Sequence, residues 1–140
     1  MKKINFLVIL AVIAALSIYY VGCGLLLPSD PGGLSIVSVS PSNLSTGVPV
    51  TTRIFAVFGK EMALATITAG NFVLASTEGA VTVTVTYDAA SRTAAVQPLA
   101  DLSPFTFYTA TIAGAVKSMD GIEMGVPFSW SFTTAARIDP

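Results

Sequence analysis

The chain has 140 residues, 53% of them hydrophobic and only 11% charged, which leaves room for one domain. It contains one cysteine and no histidine, so Ser-His-Asp and Cys-His catalytic arrangements and ordinary zinc sites are excluded. A net charge of −1, with no run of basic residues, excludes a protein built to neutralise nucleic-acid phosphates.

Lys2 and Lys3 form a short positive tip, and residues 6–21 are an almost unbroken apolar run diluted only by Ser17 and two tyrosines. This is the layout of an export signal with a hydrophobic helix. The run ends at Tyr20-Val21-Gly22-Cys23, and Cys23 is the only thiol. Three readings stand side by side. In the first, 1–22 is a lipoprotein signal peptide cut before Cys23, whose sulfur then carries a lipid; Val21-Gly22-Cys23 resembles a lipobox, and Tyr20 departs from the usual Leu. In the second, residues 4–27 remain as a single span, long enough for a bilayer core of ~30 Å. In the third, an ordinary signal is removed and a free thiol remains. We take the first as the working expectation: a membrane-anchored, exported lipoprotein. Gly24, where an Asp would signal inner-membrane retention, points to the outer membrane or cell surface.

Residues 23–34 read as the lipidated cysteine and a tether, because Pro28-Ser29-Asp30-Pro31-Gly32-Gly33 is linker chemistry. From residue 35 to 135 short Val/Thr/Ile/Phe runs alternate with turn residues, and no helical period is sustained. The pattern predicts an all-β antiparallel sandwich of about seven strands: 35–40, 50–58, 71–75, 80–87, 93–97, 106–113 and 127–134. Residues 61–70 are expected to form one helical turn. The fourth strand shows the cleanest alternation, with Val81, Val83, Val85 and Tyr87 inward and Thr82, Thr84 and Thr86 outward. Pro98 is expected to end the fifth strand for want of a donor. The last strand puts Phe128, Trp130 and Phe132 on one face, with Trp130 the largest core member. Residues 136–140 read as a tail.

Several short motifs in order carry a resemblance. They are Ser40-Pro41-Ser42-Asn43, Gly47-Val48-Pro49-Val50, Phe58, Met62, Asn71-Phe72, Tyr87-Asp88, Leu102-Ser103-Pro104, Tyr108-Thr109-Ala110 and Trp130-Ser131-Phe132-Thr133-Thr134. Read together they resemble the bacterial Ig-like domain of the S-layer (SbsA) type. The resemblance implies an Ig-like sandwich in an exported protein, acting as spacer, adhesive or accessory module, with no common catalytic residues. Where the family often has Ser-Glu-Pro-Met-Asp, this chain has Gly59-Lys60-Glu61-Met62-Ala63.

No catalytic, cofactor or metal residues are assigned. Glu61, Asp88, Asp101, Asp120 and Glu123 fall near predicted turns, where Asp is favoured on conformational grounds. Met62, Met119 and Met124 are the only soft donors after the cysteine and make a poor copper set. Asp120-Gly121-Ile122-Glu123 has carboxylates for calcium but lacks the EF-hand spacing, and Asp-Gly is also a tight-turn dipeptide. A sugar platform needs exposed Trp or Tyr, whereas Trp130, Tyr108 and Tyr87 alternate as core. The remaining signal is apolar: Phe55 and Val57 on the second strand, and Phe105 and Phe107 around the sixth, fall in outward phase. The strand order of an Ig sandwich places them on opposite sheets as two separate spots. These four are the candidate contact surface. The expected partners are the membrane, through the anchor, and other envelope proteins or glycans.

Overall fold

The computed structural model describes residues 33–137. The expected signal peptide and hydrophobic helix, Cys23, nearly all of the tether and the end of the tail lie outside them. Among the described residues no helix is long and apolar enough to cross a membrane.

Among the described residues the alternating segments fold as nine strands in two sheets. They are β1 (Ile36–Ser40), β2 (Ser45–Val48), β3 (Ile54–Phe58), β4 (Phe72–Ser76), β5 (Gly79–Val81), β6 (Val83–Asp88), β7 (Thr93–Pro98), β8 (Phe107–Ile112) and β9 (Phe128–Thr134). One sheet has the order β1-β3-β7-β6 and the other β2-β9-β8-β4-β5. These are the two sheets of an Ig sandwich, with β2 and β5 added at the two edges of the second. Ile54, Ala56 and Phe58 from one sheet and Phe72, Leu74, Tyr108, Ala110, Ile112, Trp130 and Phe132 from the other are buried between them. The inward phase of the strands is thus as the alternation requires.

Four expectations change. The strands number nine, not about seven, because β2 is short, lacks alternation, and is defined only by its neighbour β9. That pairing is parallel, so the sandwich is not wholly antiparallel. The expected fourth strand is two strands in different sheets. β5 pairs with β4 through Leu74↔Val81, and β6 pairs with β7 from Val83↔Pro98 onward. The side-chain alternation runs unbroken through the crossover at Thr82, so the pattern hides it. Finally, Pro98 belongs to β7. Its ring nitrogen would face the β3 side, beyond Ile54, where no strand asks for a donor. The one helical turn expected within 61–70 is present as the 3-10 turn Leu64–Thr66.

A tyrosine corner ties the sheets together. Tyr108 is buried on β8, its ring stacks on Phe132 at 5.8 Å, and its hydroxyl accepts from the Ser103 N–H at 2.9 Å. The same β7–β8 loop is held by Leu102 N–H donating to Val50 O at 2.8 Å. Tyr87 does a similar job at the other end, accepting from Met62 N–H at 2.9 Å. The chain enters where Gly59 N–H donates to Ser35 O, and leaves at the opposite end, where Ala135 N–H donates to Val48 O.

Candidate interaction surface

The nine strands contain a single charged residue, Asp88, at the end of β6. Ionised side chains are otherwise confined to loops. Both outer faces are therefore neutral, built from Thr, Ser, Ala and a few large apolar groups.

On the first sheet, Phe55 and Val57 point outward as expected and are half-buried. Phe55 stands opposite Ser40 and Ala95, Val57 opposite Ser38 and Thr93. Flanking strands on both sides shield them in part, and this spot is the less exposed of the two.

On the second sheet the exposure is larger. Phe107 opens β8 at 50% exposure, and Phe105, in the preceding loop, is 76% exposed. Behind Phe107 run two cross-strand hydroxyl pairs, Thr109 with Ser131 at 3.0 Å and Thr111 with Ser129 at 2.9 Å. On the β4 side lie Ala75 and Val73, the latter 44% exposed. A shallow depression of about 290 Å³ is lined by Ala75, Ser76, Thr77, Phe107 and Thr109, none of them charged. The structure thus groups Phe105 and Phe107 at one end of one sheet and leaves Phe55 and Val57 on the other.

Two residues here have an unfavourable backbone. Phe105 has φ +53° and Leu44 has φ +62°. Both are large, both are mostly exposed, and both are tied to β9 of the second sheet or to its end: Leu44 N–H donates to Ser131 O and Phe105 N–H to Ala135 O. Bulky residues at positive φ are outliers that cost of order 1–3 kcal/mol. Sequence reasoning missed Leu44 and Val73. Val73 was legible as the outward phase of β4; the positive φ of Leu44 leaves no mark in the sequence.

The other sites of interest are turns. Asp120 and Glu123 sit in a hairpin where Gly121 N–H donates to Ser118 O, Ile122 N–H to Ser118 Oγ, and Lys117 Nζ lies 2.9 Å from Glu123 Oε1. A lysine ammonium already occupies one of the two carboxylates a calcium ion would need. Asp88 accepts from Ser91 Oγ at 2.7 Å and Ala90 N–H at 3.1 Å. The Ser91 hydroxyl, and then the Ala90 amide, hold its carboxyl below the ordinary aspartate value, the wrong direction for a general acid. Met62 is buried, Met124 packs on the core, and Met119 is exposed. Among the described residues no group of three His, Cys, Asp or Glu is placed to hold a metal ion. Trp130, at 3% exposure, and Tyr108 are closed to a sugar ring.

With this geometry in hand, comparison with known proteins gives the family. The family model described as "Bacterial Ig-like domain" matches residues 30–134, and the chain belongs to that family. A search of the curated proteins found no match. Among solved structures, domains 1–6 of the surface layer protein SbsC are similar, with TM-score 0.58 and 21% identity over 76% of this chain. The match spans only 14% of that S-layer chain. CopC from Methylosinus trichosporium OB3b is similar with TM-score 0.60 and 18% identity, over 76% of this chain and 97% of that one. PcoC, a copper resistance protein from Escherichia coli, gives TM-score 0.59 and 16% identity over 71% and 98%. Identities this low speak for the shared fold alone.

Proposed function

We propose that this bacterial Ig-like domain is a non-catalytic structural and protein-interaction module of the cell envelope. It is held at the membrane by a lipid on Cys23 and makes contact through the outer face of the sheet β2-β9-β8-β4-β5. The observation that carries the contact face is Phe105: a large ring, 76% exposed, kept at φ +53°. Asn or Gly would fill that backbone position at lower cost. A ring placed there at a cost in stability, beside a half-exposed Phe107, is explained by something the ring touches.

The test uses the full chain in cells. A photoreactive aromatic amino acid replacing Phe107 should give one discrete adduct, lost when Phe105→Asn is added, while the same probe replacing Phe55 should not give it. Equal adducts from both positions, or none from Phe107, would refute the contact face. Cys23→Ser tests the anchor separately: the variant should leave the membrane fraction, and firm retention would point to an uncleaved span instead. A second reading, a neutral glycan as the ligand, is favoured by the hydroxyl pairs Thr109–Ser131 and Thr111–Ser129 beside Phe107. Binding of the full chain to a glycan array, abolished by Phe107→Thr, would select it.

A further inference from the structure

Among the described residues four strands end the two sheets, and three of them are blunted. On β1 the register shifts between Ile36 and Ser38, leaving Val37 as an extra residue. On β2, four residues long, it shifts between Ser45 and Val48 around a Gly47 at φ +70°. β5 has three residues and opens on Gly79. Bulges, brevity and glycine are the usual protections of a sheet edge against pairing with another chain.

β6 has none of these. It runs six residues, Val83–Asp88, in unbroken register with β7, without Gly, Pro, Lys or Arg. Leu99 N–H donates to Thr82 O, so Thr82 and Leu99 form a hydrogen-bonded pair. In an antiparallel ladder such pairs alternate. Thr84, Thr86 and Asp88 therefore bond to β7, and Val83, Val85 and Tyr87 direct their N–H and C=O groups to the open edge. Their side chains are half-buried and pack on the rim of the core, leaving part of each apolar surface uncovered.

We infer that the open edge of β6 pairs with β6 of a second copy of this chain, antiparallel, about a two-fold axis at Val85. The occupant follows from the strand's own sequence, which is self-complementary. With Val85 opposite the second copy's Val85, Val83 falls opposite Tyr87 and Thr84 opposite Thr86. Outward-directed backbone groups meet outward-directed ones, hydroxyls meet hydroxyls, and apolar side chains meet apolar ones. The only charge on the strand, Asp88, lands opposite Thr82 and not opposite another acid. The contact is isologous, closes at two copies, and joins the first sheets of both into one.

Thr84 and Thr86 would be a non-hydrogen-bonded pair with Cα atoms ~4.5 Å apart, within the ~4.4–6.8 Å that a disulfide accepts. Two tagged full-length copies are co-expressed, one with Thr84→Cys and the other with Thr86→Cys, and the membranes are mildly oxidised. The disulfide-linked heterodimer should dominate, and Thr84→Cys alone should give no more cross-linking than the parent chain with its Cys23. Thr84→Lys combined with Thr86→Lys, both on exposed side chains, should abolish the dimer of the detergent-solubilised full chain without lowering its melting temperature. Cross-linking no stronger than the parent's, equal cross-linking by Thr84→Cys alone, or a dimer that survives the double lysine would each overturn the proposal. So would a cross-link to a different protein, which would make β6 the receptor of a foreign strand.

Discussion

Removing one oxygen from the buried corner gives the sharpest stability test. In Tyr108→Phe the ring keeps its stack on Phe132 at 5.8 Å, and the variant loses only the hydroxyl that accepts from Ser103 N–H at 2.9 Å. That N–H is part-buried, so it is stranded rather than handed to bulk water. A stranded donor costs about 1–3 kcal/mol. A domain of ~100 residues unfolds with an entropy near 0.2 kcal/mol/K, so the melting temperature should fall by about 5–14 °C. The effect should be local as well as global. The corner sits in the β7–β8 loop, which also sets the backbone of Phe105, so amide exchange at Ser103 should rise more than at the β3 and β7 ladder positions. Urea and thermal denaturation followed by circular dichroism give the first number, and hydrogen exchange gives the second. A variant melting within about 1 °C of the parent would mean that water satisfies the Ser103 N–H, and the corner would contribute nothing to stability.

Trp130→Ala should cost about 3–5 kcal/mol, enough to unfold much of a domain with ~5–15 kcal/mol in hand. Trp130→Phe should cost less than the usual Trp truncation, because the indole Nε1 is buried without a partner among the described residues and its removal strands nothing there. Gly114→Ala should destabilise by about 1–3 kcal/mol in urea melts, since its Cβ would sit 2.7 Å from the backbone carbonyl of Gly125. Phe107→Thr should leave stability within about 0.5 kcal/mol, whereas Phe55→Thr, half-buried between Ser40 and Ala95, should cost measurably more. The Asp88 carboxyl, held low by Ser91 and Ala90, stabilises the fold above the ordinary aspartate range. That contribution is lost as pH falls through its depressed folded value. Ser91→Ala should raise the Asp88 midpoint in an NMR titration, and an unmoved midpoint would refute the assigned cause.

The sequence was most legible where side chains alone determine the structure. Trp130, Phe132, Tyr108 and Ile54 were readable as core because a period of two puts every second residue between the sheets. The outward phase of Phe107 and Phe55 followed from the same count. What alternation cannot register is the identity of the hydrogen-bond partner. Val81 and Val83 keep one rhythm, yet they belong to different sheets. β2 escaped for the converse reason: Ser45–Val48 has no rhythm, and only the carbonyls and amides of β9 define it as a strand. The φ of +53° at Phe105 and the hydroxyl pairs across β8 and β9 likewise arise from the assembled sheet.

Confining charge to the loops has a consequence for both proposed contacts. Covering an ion strips it of water at a cost of several kcal/mol unless a partner replaces that water. The outer face of β9-β8-β4 holds no ion to strip, and Thr109–Ser131 and Thr111–Ser129 bond to one another in pairs, so a partner that covers it has only the one remaining O–H of each pair to satisfy. The open edge of β6 differs in kind, because its backbone groups gain partners when it is covered. The two surfaces are on different sheets, so one copy can use both, the edge for a second copy and the face for another envelope component. Neither contact depends on charge, and salt screens only charge. Raising the ionic strength should therefore leave both in place. Contacts made instead through the loops, where Lys117 pairs with Glu123 and Arg137 with Asp101, would weaken under the same change.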